Sequence, residues 1–178
     1  MQTDPFVPTI RSVGLNGLLV TFGTRATDAA NRAAIAFRAE VDAMGWPEIA
    51  ESSSTLVSAF FRVDLSEHDF DVLKARLGEV LSLRYCCRGA LPPNRTLWTI
   101  PAVFGGPRAP QLTEAAEAAD LSVAEAEAAL TSTRLRVLTL GFAPGQPYLG
   151  TLEEAWDIPR QVGLSPHVPA GALVAAVR

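Results

Sequence analysis

Residues 55–63 alternate strictly between an apolar side and a mixed side, and this alternation constrains the fold more than any other feature of the chain. Ala59, Phe61 and Val63 would point to one face of a β-strand, whereas Ser58 would point to the other. A strand of this kind belongs to a sheet that helices cover on one face and leave open on the other.

Two segments with helical spacing lie on either side of this strand. Residues 26–44 place apolar side chains three or four positions apart, and Gly45 and Pro47 then end the predicted helix. Residues 66–80 repeat the pattern, with Ser66 as the predicted N-cap. Acidic residues precede basic ones in this second helix, which is the order that the helix dipole favours.

The order of elements in the first half predicts a small α/β sandwich. A strand at residues 18–22 precedes the first helix, and an extra strand is considered near residues 48–51. Strand, helix, strand and helix in this order favour a ferredoxin-like arrangement. Two prolines and an asparagine at residues 90–94 indicate a linker, so the predicted domains are 1–92 and 93–178.

The second half combines β-rich runs with glycine- and proline-rich loops. The runs predicted as strands are residues 96–104, 135–140 and 173–177. Pro101 confines the first of them to a sheet edge or marks a bend. Two short helices are predicted within residues 111–130, and a capping box from Ser122 to Glu125 opens the second. Strands separated by long turn-rich loops suggest a β-barrel or sandwich decorated by helices.

The last predicted strand stops at Arg178, with no turn, cap or polar tail after it. A barrel needs further strands to cover the edge that such a run presents. We therefore expect this copy to be truncated, or its missing part to be supplied from elsewhere. A natural edge strand at the terminus is the alternative.

Composition excludes several kinds of chemistry. Lys74 is the only lysine and no glycine-rich turn precedes it, which excludes a P-loop. Cys86 and Cys87 are adjacent, which fits neither the spacing of a zinc site nor a disulfide framework, and no metal is predicted. A net charge of −4 argues against binding to nucleic acid or to an anionic membrane. With no targeting segment visible, the predicted location is the cytoplasm.

Residues 141–150 are the strongest candidate for a binding loop. Three glycines and two prolines directly follow a predicted strand. Glycine lets a ligand approach the backbone closely, and proline stiffens the loop. Phe142 and Tyr148 would offer an apolar floor and one hydroxyl. The pattern is not that of a dinucleotide-binding loop, and a purely structural turn is the alternative.

Two further features could carry chemistry. Arg160 could clamp a carboxylate or phosphate, and His167 could carry a proton, with a surface arginine and a loop histidine as the alternatives. The helical pair at residues 111–130 is spaced like a helix-turn-helix. It carries five acids and no base between residues 113 and 130, so it would repel phosphates.

Four motifs in the same order resemble the KipI-like family. They are residues 100–106 (IPAVFGG), the two predicted helices at 112–130, residues 141–150 (GFAPGQPYLG), and Pro159-Arg160 followed by residues 168–173 (VPAGAL). Residues 14–23 (GLNGLLVTFG) resemble the family's opening more loosely. Gln146 stands where the family loop has an aromatic residue. The family's "QTGIYP" and "PGGW" segments, expected after Arg178, are absent from this sequence.

This family comprises the B subunit of the ATP-dependent 5-oxoprolinase, the related allophanate hydrolase subunit 1 proteins, and the sporulation kinase inhibitor KipI. The resemblance implies an α+β chain, in which a ferredoxin-like sandwich precedes an incomplete cyclophilin-like β-barrel with two inserted short helices. It also implies part of a hydrolase that shares ATP with a homologous C subunit and a third polypeptide. Together these subunits would open the lactam of 5-oxoproline to glutamate.

Two other functions stay open. A KipI-type inhibitor that binds a histidine kinase is the alternative, and a carboxyltransferase part of a urea carboxylase is a third option. The residues that we expect to bind substrate or partner are Gly141, Phe142, Pro144, Gly145, Tyr148, Leu149, Gly150 and Arg160. No catalytic residue is assigned from the sequence.

Overall fold

The computed structural model describes residues 7–84, 90–141, 144–159, 161, 163 and 168–175. The chain divides into two compact units by its internal contacts. Unit one is Met1–Thr96 with Val137–Tyr148, and unit two is Leu97–Arg136 with Leu149–Arg178.

The described chain contains four helices and six strands. In order they are β1 (Thr9–Ser12), β2 (Gly17–Thr21), α1 (Asp28–Met44), β3 (Glu51–Ser54), β4 (Ser58–Arg62), α2 (Phe70–Arg84), α3 (Leu112–Ala118), α4 (Val123–Ser132), β5 (Val137–Leu140) and β6 (Pro147–Leu149). Single turns of 3₁₀-helix lie at Gly106–Arg108 and Glu154–Trp156. Helices and antiparallel strands therefore mix within one chain, which confirms the predicted α+β class.

The main sheet of unit one has the strand order β1-β2-β4-β3, and each neighbouring pair is antiparallel. The strands predicted at residues 18–22 and 55–63 are β2 and β4. The extra strand considered near residues 48–51 lies slightly later, as β3. The short edge strand β1 was not predicted, because its four residues carry little apolar pattern and it forms only by pairing with β2.

The core of unit one lies between one face of this sheet and the two helices. Ala59, Phe61 and Val63 are buried as the alternation predicts, and they join the apolar stripes of α1 and α2. The ring of Phe37, on α1, meets that of Phe61 edge-on, with ring centroids 6.0 Å apart. On the other face of β4, Ser58 is buried, Phe60 is half-buried and Arg62 is exposed, so this face is more open than the one that the helices cover.

The ends of the two long helices follow local chemistry. Thr27 caps α1 by accepting a hydrogen bond from the backbone N–H of Ala30, and Gly45 ends the helix in the left-handed region with φ +62°. The prediction that Ser66 caps α2 was wrong. Asp69 takes that role, because its Oδ1 accepts from the N–H groups of Asp71 and Val72, at 2.8 and 3.1 Å. The Ser66 hydroxyl instead donates to Asp64.

Unit two contains the helical pair α3–α4, which packs against Trp156. The predicted capping box is confirmed, with Ser122 and Glu125 bonded to each other's backbone. Hydrogen bonds from the Ser122 hydroxyl and from the Ser122 backbone N–H hold the pKa of Glu125 below its ordinary value. The two short helices are thus where the sequence predicted them.

The strand predicted at residues 96–104 was wrong, since the structure has no strand there. A strand needs a neighbour for its backbone hydrogen bonds, and none of the described strands lies beside this segment in a sheet. Pro101 also lacks a donor. Residues 173–175 are likewise not a strand, and the rest of the run predicted at 173–177 lies outside the described residues.

The turn after α3 supports a first prediction. The N–H of Leu121 bonds to the carbonyl of Ala116 and that of Asp120 to the carbonyl of Glu117, which forms a Schellman motif with Asp120 at φ +56°. Because glycine adopts this φ with less strain than aspartate, Asp120→Gly should stabilise the protein by about 0.5–1 kcal/mol in urea unfolding. As the matched control, Glu117→Gly in the helix should cost about 1 kcal/mol. Equal losses for the two variants would contradict this account.

Candidate functional site

The described residues of the candidate loop at 141–150 lie on a β-hairpin formed by β5 and β6. These strands form a two-stranded sheet, and the six residues between them are too few for a parallel crossover. Strand β6 was not predicted, since Pro147 and the flanking glycines indicated a loop. Pro147 is tolerated because it is the first residue of the strand.

A turn at Pro144 and Gly145 forms the tip of this hairpin. Gly145 has φ +82°, close to the value that the third residue of a type II turn takes, and proline is common at the second position. Both residues are exposed to solvent. Pro144 fixes its own φ and Gly145 permits a positive φ, so the sequence favours this turn.

Two backbone hydrogen bonds join the arm of the hairpin before the turn to the arm after it. The N–H of Gly141 donates to the carbonyl of Gln146 at 3.1 Å. The N–H of Gly150 donates to the carbonyl of Arg136 at 2.8 Å. These two N–H groups are thus committed to the hairpin, and an anion held by the loop in this conformation would need other donors.

Two side chains of β6 give the hairpin an amphipathic surface. Tyr148 is 41% exposed and Leu149 is 37% exposed. The Tyr148 ring passes Gly141, with its Cε2 atom 3.7 Å from where a Cβ of residue 141 would lie. The hairpin therefore presents a ring, a hydroxyl and an aliphatic side chain next to a stiff turn.

The structure brings most of the predicted site residues together on this one hairpin. Those it describes are Gly141, Pro144, Gly145, Tyr148, Leu149 and Gly150. The division between the units passes between Tyr148 and Leu149. Phe142, Arg160 and His167 lie outside the described residues, as do Cys86 and Cys87.

A residue that the sequence reasoning missed ties this hairpin to unit one. Asn31 on α1 is 1% exposed, and its Nδ2 donates to the carbonyl of Leu138 on β5 at 3.0 Å. The hydroxyl of Thr139 donates to the carbonyl of Ser54 at 2.9 Å. The sequence did contain a sign of this contact. Asn31 is a polar residue within the apolar stripe of a helix, and buried polar groups need specific partners.

Two kinds of feature are absent from the described residues. No helix among them is long and apolar enough to cross a bilayer. No group of three or more histidine, cysteine, aspartate or glutamate side chains in the same part of the chain is arranged to hold a metal ion.

Comparison with known proteins gives a family match over nearly the whole chain. The model of the family described as carboxyltransferase domain, subdomain C and D, matches residues 8–178. A Bacillus subtilis (strain 168) protein named as the B subunit of 5-oxoprolinase is 27% identical, over 92% of this chain and 71% of its own length. An Escherichia coli O157:H7 protein of the same name is 38% identical over 84 residues, which are 47% of this chain and 38% of that protein.

A solved structure shares the fold. The crystal structure of TTHA0988 is similar with a TM-score of 0.68 and 27% sequence identity, over 95% of this chain. The chain spans 31% of the length of that protein.

Proposed function

Because the chain belongs to the family of carboxyltransferase domains, subdomain C and D, we propose that it acts as the B subunit of an ATP-dependent 5-oxoprolinase. The observation that carries this proposal is that two similar proteins from different bacteria bear that name. In this role the chain works with a homologous C subunit and a third polypeptide. The reaction opens the lactam of 5-oxoproline and gives glutamate.

The chemistry explains why several polypeptides and a nucleotide are needed. An amide carbonyl is a poor electrophile at neutral pH, and ATP supplies its activation when bound. In this chain the tip of the β5–β6 hairpin orients the substrate, because a stiff turn holds its groups in place at little entropic cost. Tyr148 and Leu149 give the lactam ring an apolar contact, and Arg160 holds the substrate carboxylate. The partner polypeptides hold most of the nucleotide.

An exposed apolar segment of unit two supports an assembly of several polypeptides. Residues 97–103 carry large side chains in open solvent, with Trp98 and Ile100 each 79% exposed and Leu97 66% exposed. Patches of this kind on a protein surface commonly mark a surface that another protein covers. In the proposed enzyme this segment is buried against a partner polypeptide.

The finer description of the fold belongs to the same proposal. The order β2-α1-β3-β4-α2 follows the first five elements of the ferredoxin-like βαββαβ pattern, which supports a ferredoxin-like domain at residues 1–92. Residues 93–178 then form part of a cyclophilin-like β-barrel with α3 and α4 inserted.

Reconstitution tests this function. The chain is combined with the C subunit and the third polypeptide from its own source, and glutamate release from 5-oxoproline is measured with and without ATP. We expect release that depends on ATP and on all three polypeptides. Complete reconstitution without glutamate release would contradict the proposal.

A substitution at the hairpin tip tests the role of the loop. Gly145→Val forces a β-branched residue to φ +82°, which should distort the turn and lower glutamate release at least tenfold. Gly45→Val makes the same change at another left-handed glycine, with φ +62° at the end of α1, and should leave the activity unchanged. Equal activity in the two variants would show that the loop is not part of the substrate-binding site.

A KipI-type inhibitor of a histidine kinase is the second candidate function. The exposed Tyr148 and Leu149 favour it, because aromatic and aliphatic side chains on a rigid hairpin can anchor a partner helix. Affinity capture from the native lysate distinguishes the two functions. The C subunit is recovered with the chain if it is part of the enzyme, and a histidine kinase is recovered if it is an inhibitor. A carboxyltransferase role in urea carboxylation is the third option, and a biotin carrier would then be recovered.

A further inference from the structure

Asn31 is the least exposed polar residue among the described residues of unit one. It lies in the first turns of α1 and is 1% exposed. Its Nδ2 lies 3.0 Å from the carbonyl oxygen of Leu138, 3.1 Å from that of Leu56 and 3.4 Å from that of Thr55. One donor group is therefore shared among three carbonyls from two separate parts of the chain.

Those carbonyls belong to segments that lie far apart in sequence. Thr55 and Leu56 form the turn between β3 and β4, whereas Leu138 is on β5, which is 107 positions from Asn31. The Thr139 hydroxyl adds a second bond from β5, to the carbonyl of Ser54. Asn31 thus joins α1, the β3–β4 turn and the hairpin at a single point.

Side-chain hydrogen bonds of Asn31 and Thr139 connect β5 with the Met1–Thr96 part of unit one. Of the described residues, none of those at positions 137–148 belongs to the apolar cluster between the sheet and the helices. Hydrogen bonds, unlike apolar contacts, fix both distance and direction. The bonds from Asn31 and Thr139 therefore constrain where β5 lies.

We propose that Asn31 is a positioning residue, which fixes the β5–β6 hairpin and with it the turn at Pro144 and Gly145. This inference rests on the proposed function insofar as that turn orients the substrate. No side chain of similar size replaces the amide. Aspartate would present only acceptors to the three carbonyls, and leucine would present no polar group.

Hydrogen exchange on the full chain tests the anchoring without any enzyme assay. In Asn31→Asp, the amides of residues 137–141 should exchange at least tenfold faster relative to those of β4. Val41→Ala is the matched control, because Val41 is fully buried on the same helix and its aliphatic side chain forms no hydrogen bond. It should speed exchange evenly across unit one. If Asn31→Asp speeds exchange in β4 as much as in β5, the anchoring role is wrong.

Two further variants keep the test decisive. Thr139→Val removes the second bond and should produce the same selective change. If Asn31→Asp does not fold, Asn31→Gln replaces it, since it keeps the donor but displaces it by one methylene. Unchanged relative exchange in both Thr139→Val and Asn31→Gln would overturn the proposal.

The reconstituted enzyme then tests whether the anchor matters to the site. In Asn31→Gln, the KM for 5-oxoproline should rise at least fivefold, while Val41→Ala should leave KM unchanged. A selectively loosened hairpin with an unchanged KM would overturn the positioning role. Failure of the wild-type polypeptides to release glutamate would instead overturn the proposed function, and the exchange data would still decide the anchoring.

Discussion

Replacing Phe61 with alanine should destabilise unit one by about 3–5 kcal/mol, the range measured for large-to-small changes in protein cores. Phe61 is the largest of the fully buried side chains, at 0% exposure. It pairs with Leu18 across the sheet and meets the Phe37 ring edge-on. Alanine would leave a cavity between the central strands and α1 that neither element can close. Urea unfolding followed by circular dichroism measures the loss.

The adjacent residue is the control for this prediction. Phe60 has the same side chain one position earlier on β4, but it lies on the open face of the sheet and is only half-buried. Phe60→Ala should cost about 1–2 kcal/mol. If Phe61→Ala does not fold, Phe61→Leu should still cost about 1–1.5 kcal/mol. A greater loss at Phe60 than at Phe61 would mean that the core lies on the other face.

Gly17→Ala should destabilise the protein by about 3 kcal/mol, because overpacking at this position cannot be relieved by moving a side chain alone. A Cβ on residue 17 would lie 2.5 Å from the backbone carbonyl oxygen of Phe61 and 2.7 Å from the Phe60 ring. The ring can turn away, but the carbonyl is part of β4 and can move only if the β2–β4 pairing is distorted. Thermal unfolding should show a midpoint lower by about 6–12 °C.

The opposite result is expected for the same change in α2. Gly78 lies inside the helix, and a Cβ there would meet nothing within 4 Å. Gly78→Ala should therefore stabilise the protein by about 0.5–1 kcal/mol through a less flexible unfolded chain. Both substitutions add one Cβ atom. Opposite changes in the free energy of unfolding would therefore show that the space around each glycine decides the effect. Destabilisation in both would refute this account.

The sequence predicts unit one well because its elements carry strong local signals. The alternation at residues 55–63 and the stops at Gly45 and Pro47 reflect forces that act within a few residues. The capping box at Ser122 is local in the same way and is confirmed. Ser66 was misassigned because a short polar residue before a helix is a cap only if its side chain reaches the free N–H groups, and the geometry shows that Asp69 does so.

Features that depend on distant partners could not be predicted. Residues 96–104 have strand propensity but no neighbouring strand in the described sheets, and β1 has little propensity but gains a neighbour in β2. The turn at Pro144 and Gly145 follows strand β5, as the sequence predicted, whereas strand β6 and the bond from Asn31 were not predicted. The bond from Asn31 to Leu138 spans 107 positions, a distance at which a single sequence gives no pairing signal.

The division of the chain also bears on its biosynthesis. Unit one is complete only when Val137–Tyr148 has been made, after the intervening stretch that belongs to unit two. The Met1–Thr96 part of unit one is therefore synthesised about 40 residues of translation, or a few seconds at ordinary ribosome speeds, before the piece that completes it. Cleavage at either end of residues 97–136 would break the covalent link between Met1–Thr96 and Val137–Tyr148. Exchanging all residues after Thr96 as one module would likewise remove Val137–Tyr148 from unit one.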